Sequence, residues 1–141
     1  MGAYADLLQE LVDAVEAVTG LSRFKGPMDG SGVPATALDG AFVARFSGGA
    51  DTDDQRGRSN VYDEHDAHIT CWYQLDHNDR LATDKAALDD VIAIRNAIYP
   101  RDGTLTGTHV ASFGYSMSAE GGGEVLRVEI STTLHHTTAV S

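Results

Sequence analysis

The stretch from Asp63 to Tyr99, DEHDAHITCWYQLDHNDRLATDKAALDDVIAIRNAIY, passes from the period of a β-strand to the period of an α-helix. The alternating part predicts a strand with five inward positions: Ala67, Ile69, Cys71, Tyr73 and Leu75. A polar turn at 76–79 follows, and then a predicted helix with these apolar residues near one face: Leu81, Leu88, Val91, Ile92 and Ile98. Pro100 ends that helix. The stretch therefore predicts a strand, a turn and a helix in direct succession.

The segments on either side predict the rest of an α+β fold. Apolar residues at three- and four-residue spacing predict a helix over Tyr4–Thr19, and alternation predicts a strand over Ala41–Ser47. Two further strands flank a glycine-rich turn at 119–124, with inward positions at Leu126, Val128, Ile130, Thr132 and Leu134. The predicted order is α-β-β-α-β-β. We expect an antiparallel sheet of about four strands with two helices on one face, in a single domain covering residues 1–141.

A polar tract at 47–64, SGGADTDDQRGRSNVYDE, lies between the first two predicted strands. Loops longer than about 12–15 residues are uncommon unless they are functional or disordered. The tract does not match a calcium-binding EF-hand loop, because Arg56 falls where glycine is required. Its mixed charges favour contact with another subunit. The candidate contact residues are Asp51, Asp53, Asp54, Arg56 and Arg58.

Trp72 is the sixth candidate contact residue, because it falls on the polar side of its predicted strand. An exposed tryptophan often marks a contact surface. The alternative is that another layer of the protein covers it. At the other end of the chain, residues 135–141 are predicted to form a flexible tail.

Composition excludes several classes of function. Ten Lys and Arg against 21 Asp and Glu give a net charge of −11, which argues against binding to the phosphate backbone of nucleic acid. No apolar run is long enough to cross a membrane. The neighbouring histidines, His65 with His68 and His135 with His136, fall on opposite sides of their strands and predict no metal site. No residue pattern predicts a catalytic group or a cofactor, so we expect a protein that is not an enzyme.

The layout resembles the tail terminator proteins of long-tailed bacteriophages and gene-transfer particles. The resemblance covers the helix Tyr4–Thr19, the strand Ala41–Ser47, the strand Asp66–Leu75, the helix Leu81–Tyr99 and the hairpin His109–Leu134. It implies a virion protein at the head–tail junction, assembled in the host cytoplasm. Such a protein forms a ring of copies of itself, commonly a hexamer, which caps the tail tube and ends its polymerisation. Its other partners would be the tail tube protein and the head-completion or connector protein, with DNA passing through the ring without specific binding.

Two alternatives stay open. The first is a head-closure protein or another neck protein of the same particle. The second is a small domain that binds an ion or a ligand through the Asp-rich loop.

Overall fold

The computed structural model describes residues 3–23, 40–51, 60–98, 108–120 and 125–139. Two helices and five strands occupy these ranges: α1 Ala3–Thr19, β1 Ser22–Arg23, β2 Ala41–Asp51, β3 Asn60–Gln74, α2 Arg80–Ile98, β4 Thr108–Glu120 and β5 Val125–Ala139. The strands form one sheet in the order β1-β2-β3-β5-β4. All neighbours are antiparallel except β1 and β2, which are parallel. The α+β class is confirmed, and the element order is α-β-β-β-α-β-β.

The prediction of about four antiparallel strands was wrong in detail, because β1 adds a short parallel strand. Gly20, with a φ of 73°, lets the backbone turn at the end of α1. The buried side chain of Leu21 then anchors the chain, and the N–H of Ser22 donates a hydrogen bond to the carbonyl of Gly40 at 2.9 Å. A strand of two residues has no alternation pattern of its own, so periodicity could not predict it.

Both helices lie on the same face of the sheet, as expected. Helix α1 lies against β1 and β2, whereas α2 lies against β3, β5 and β4. Between the two layers lies a core that includes Leu11, Val15, Phe42, Ile69, Cys71, Ile94, Val128 and Ile130. The inward positions predicted for β5 are all buried, and those predicted for β3 are buried except for the half-buried Tyr73. Strict alternation identified these faces because the side-chain period of a strand is two.

The predicted inner face of α2 was partly wrong. Leu81, Leu88 and Ile92 are exposed to solvent by 60%, 36% and 46%. The face that packs on the sheet consists of Thr83, Ala87, Val91, Ile94, Ala97 and Ile98. Half of this face is alanine or threonine, so the larger leucines were misleading guides to its orientation.

The bounds of the polar loop at 47–64 and of the flexible tail at 135–141 were also wrong. Strand β2 continues to Asp51, β3 begins at Asn60, and Asp51 stands opposite Asp63 in their ladder. Strand β5 continues to Ala139, which stands opposite Asn60. Pairing of β3 with β2 on one side and with β5 on the other makes these polar ends part of the sheet, although neither contains an apolar run. Within the described ranges, neither helix has the length and hydropathy that a membrane crossing requires.

Candidate interaction surface

The structure separates the predicted contact residues. Asp51 is the last residue of β2, while Asp53, Asp54, Arg56 and Arg58 lie outside the described residues. Trp72 stands opposite Ala41, at the other end of the β2–β3 ladder from Asp51. At about 3.3 Å per residue, the two ends of this ladder are roughly 30 Å apart. Trp72 and Asp51 therefore do not form one surface within a single copy of the chain.

Trp72 is fully buried, so it is covered by another part of the protein and is not an exposed contact residue. It lies on the sheet face that turns away from the helices, between Ala41 of β2 and Arg127 of β5 in the ladders. Val43 and Val125 are buried on the same face. The part of this face around Trp72, Val43 and Val125 is therefore closed to solvent.

The other end of that face carries a polar groove of about 230 Å³. His68 lies at its centre, with Nε2 at 2.9 Å from the Ser47 hydroxyl and Nδ1 at 3.3 Å from the Ser131 hydroxyl. The Thr133 hydroxyl donates to Oδ1 of Asp66 at 3.1 Å. In this groove, hydroxyl groups from β2 and β5 therefore lie on either side of one imidazole of β3.

The groove contains a serine, a histidine and an aspartate, but they are not connected as in a catalytic triad. In a triad a carboxylate accepts from the imidazole nitrogen that faces away from the serine. Here that nitrogen of His68 meets the Ser131 hydroxyl, and the Asp66 carboxylate meets Thr133. Across the described residues, no three His, Cys, Asp or Glu side chains are arranged to hold a metal ion. The geometry offers hydrogen bonds to a polar partner without the connections that activate a serine nucleophile.

A second polar group, Tyr73 with Asp90, ties α2 to the sheet. The Tyr73 hydroxyl donates to Oδ2 of Asp90 at 2.7 Å. Burial, followed by the nearby Asp90 charge, raises the pKa of the Cys71 thiol to about 12, so that thiol stays protonated at neutral pH. Burial likewise raises the pKa of Tyr73, and it raises the pKa of Asp90 despite the opposing hydrogen bond from Tyr73. Cys71 therefore packs as a small apolar residue and is a poor nucleophile.

We expect Tyr73→Phe to lower the free energy of unfolding by about 1–2 kcal/mol at pH 7, because the partly buried Asp90 carboxylate loses its donor. The folded-state pKa of Asp90 lies above its unfolded value, so the unfolded state ionises first as pH rises. The contribution of Asp90 to stability therefore falls as the pH rises from its unfolded-state pKa to its folded-state pKa. Urea denaturation at several pH values measures the cost, which should shrink in acid where Asp90 is protonated. Equal losses at all pH values would contradict this prediction.

The sheet presents two open edges among the described strands. Strand β4 pairs only with β5, so its other side is an open edge over Thr108–Glu120. Residues 109–119 of this edge include no Lys, Arg, Asp, Glu or Pro, the residues that usually protect an edge from pairing. Strand β1 covers only Ala41 and Phe42 of β2, which leaves the outer side of β2 open from Val43 to Asp51. Within the described part of the chain, no strand pairs with either of these edges.

The helix layer also exposes contrasting surfaces. Helix α2 exposes the apolar residues Leu81, Leu88 and Ile92, and Tyr115 of β4, which faces the helix layer, is 52% exposed. Helix α1 contains no Lys or Arg, and its solvent side carries Asp6, Gln9, Asp13 and Glu16. Sequence reasoning missed the α2 surface because its apolar residues were assigned to the core. The 4-3-4 spacing of Leu81, Lys85, Leu88 and Ile92 was a signal that could have found it.

The fold is similar to that of a chain from the virion of a native gene transfer agent particle. The TM-score is 0.55 with 12% sequence identity, and the match covers 98% of this chain and 100% of that chain. At this level of identity, the similarity shows a shared fold.

The type 4 fimbrial biogenesis protein PilO from Pseudomonas aeruginosa matches at a TM-score of only 0.34, with 9% identity over 97% of this chain and 73% of that chain. A similarity this low carries no structural argument. No protein-family model matches the chain. No curated protein sequence matches it either.

Proposed function

We propose that this chain is a structural virion protein that forms an oligomeric ring, caps the tail tube, ends its polymerisation and joins the tail to the head connector. The observation that carries the proposal is the fold shared over 98% of this chain with a chain of a gene transfer agent virion. The match spans all of both chains or nearly so, so it includes the long strands as well as the helices. The copies of the ring, the tail tube protein and the connector protein are its proposed partners.

The two open edges support a ring. The β4 edge and the β2 edge lie at opposite sides of the sheet, so pairing one with the other joins two copies head to tail. Contacts of this kind use different surfaces on the two copies and close into a ring when the rotation between copies allows it. Backbone hydrogen bonds along the two edges would supply the contact without buried charges. The number of copies, commonly six in the resembling family, is part of the proposal.

The charge of the chain fits a structural role on the path of DNA. A net charge of −11 repels the phosphate backbone, which suits a passage through which DNA moves without binding. We propose further that the chain has no catalytic activity. Two observations support this statement: the Asp66 carboxylate in the groove bonds to Thr133 rather than to His68, and the pKa of the Cys71 thiol is raised. The tract at 47–64 keeps its proposed role in contacts between copies or with the tube.

We expect Ser116→Lys combined with Ser118→Lys to prevent ring formation, because lysines on an edge strand oppose pairing with another strand. Both serines are exposed on β4, so the free energy of unfolding should change by no more than about 0.5 kcal/mol. Multi-angle light scattering measures the mass of the assembly against the 15.0 kDa chain, and negative-stain microscopy shows whether the protein caps isolated tail tubes of its own particle.

Ala82→Lys combined with Ala86→Lys is the matched control, because both alanines are exposed on α2, away from both edges of the sheet, and the pair adds the same two positive charges. This control should form rings and cap tubes as the wild type does. Wild-type protein that stays monomeric both alone and with tail tubes would overturn the proposed function. Rings that bind the head connector and ignore tube ends would instead identify a head-closure protein.

A further inference from the structure

The exposed side of α2 has the spacing of a surface that packs against another helix. Its residues Leu81, Lys85, Leu88, Ile92 and Arg95, named here the α2 seam, follow one another at intervals of four, three, four and three. This spacing is typical of the contact line between two packed helices. Three of the five are large apolar residues, exposed by 36% to 60%. The seam is distinct from the face of α2 that packs on the sheet.

The hydrogen bond of Asp90 shows which way the α2 seam points. Asp90 reaches toward β3 through its contact with Tyr73. At 3.6 residues per turn, Leu81, Leu88 and Ile92 lie roughly 160–180° around the helix from Asp90. Of the strands under α2, β3 is nearest to α1 and β4 is farthest from it. The seam therefore points away from α1, on the side of the molecule where β4 leaves its open edge.

The outer side of α1 is complementary to the α2 seam in charge and spacing. The seam carries two cations, Lys85 and Arg95, which are ten residues apart, or about 15 Å along a helix. Asp6 and Glu16 on the exposed side of α1 have the same separation. Two exposed alanines, Ala5 and Ala17, flank this acidic line and leave room for apolar side chains of a partner.

We propose that the α2 seam of one copy packs against the outer side of α1 in the next copy. The inference rests on the proposed ring and adds a second layer to each junction. Pairing of the β4 edge with the β2 edge of a neighbour places α2, which lies toward β4, beside the α1 that covers the neighbour's β2. Pairing of the seam with a second α2 seam is disfavoured, because cations would then face apolar residues or each other. Such a two-fold contact would also close a dimer.

Charge reversal tests this contact. Lys85→Glu with Arg95→Glu should weaken self-association of the chain at least about tenfold, since the new acidic groups would face Asp6 and Glu16 of the next copy. Asp6→Lys with Glu16→Lys should weaken it in the same way. The chain with all four substitutions should assemble again, because the charges are exchanged and their complementarity is kept. Light scattering over a concentration series measures each association.

Mixing the two double variants is the more specific test. The two double variants, combined in equal amounts, should assemble although neither does alone, because each junction then joins opposite charges. Arg80→Glu is the matched control, since Arg80 lies on α2 outside the seam and pairs with Asp84 at the surface. This control should assemble like the wild type.

Three outcomes separate the two proposals. Wild-type rings that tolerate both double variants would overturn the helix contact and leave the ring standing. Loss of assembly in both double variants without rescue by the mixture or by the fourfold variant would also overturn it, and would point to another virion protein as the occupant of the seam. Wild-type protein that never forms rings, alone or on tubes, would remove the proposed function itself.

Discussion

Trp72→Ala is expected to lower the free energy of unfolding by about 3–5 kcal/mol, because the substitution leaves a cavity in place of the fully buried indole side chain. Trp72 is the only tryptophan in the chain, so circular dichroism during urea denaturation is the appropriate readout. In the wild type, its fluorescence should show a buried indole before assembly and stay unchanged afterwards. This expectation follows from the structure and replaces the exposed alternative that the sequence left open.

Tyr115→Ala is the matched control for that experiment. Tyr115 is also aromatic and also lies on a strand of the sheet, but it is 52% exposed. Its removal should lower the free energy of unfolding by no more than about 1 kcal/mol, the upper range for a cross-strand aromatic pair relative to alanine. A stable Trp72→Ala variant that loses only assembly would contradict the burial and would assign Trp72 to a contact between copies.

Gly49→Ala should lower the free energy of unfolding by about 1–3 kcal/mol, because a side chain does not fit at this position. A Cβ atom there would lie 2.7 Å from the carbonyl oxygen of Glu64 and 3.0 Å from Nδ1 of His65. The His65 ring has little freedom to move, since it lies between two aromatic rings. It stacks on Phe46 with 4.9 Å between ring centroids and packs edge-on against Tyr4 with 4.6 Å between centroids. Thermal or urea denaturation measures the cost.

Gly48→Ala, one residue earlier, is the control. A Cβ atom at Gly48 would meet nothing within 4 Å, and its backbone conformation is open to other residues. Since alanine restricts the unfolded chain, this variant should be unchanged or more stable by about 0.4–1 kcal/mol. Equal losses in the two variants would show that the close approach at Gly49 does not decide stability.

Sequence periodicity was sufficient where a single period decided the structure. The inward faces of β3 and β5 were correct because residues such as Ile69 and Ile130 repeat every second position next to polar residues. Helix α2 was harder, because it carries two apolar lines. Half of its core line is alanine or threonine, whereas Leu81, Leu88 and Ile92 lie outside the core.

Features that depend on the pairing and register of polar strand ends were beyond sequence reasoning. The ends of β2, β3 and β5 are polar, and only their ladders, such as Glu64 opposite His135, make them strands. The groove around His68 depends on the same register, which brings Ser47 and Ser131 to the two nitrogens of one imidazole. Neither serine is near His68 in the sequence, so no motif could have indicated the groove.

The position of β5 in the sheet also determines when the chain becomes able to assemble. Strand β5 lies between β3 and β4, although β4 precedes it in the sequence. Contacts between residues as distant as Asn60 and Ala139 close slowly during folding, because the intervening chain must be ordered first. Until β5 has docked on β3, the pair of β4 and β5 is not attached to the rest of the sheet. The β2 edge and the β4 edge belong to one sheet only after this ladder has closed, and until then the unpaired side of β5 is a further edge at which newly made chains can pair with one another.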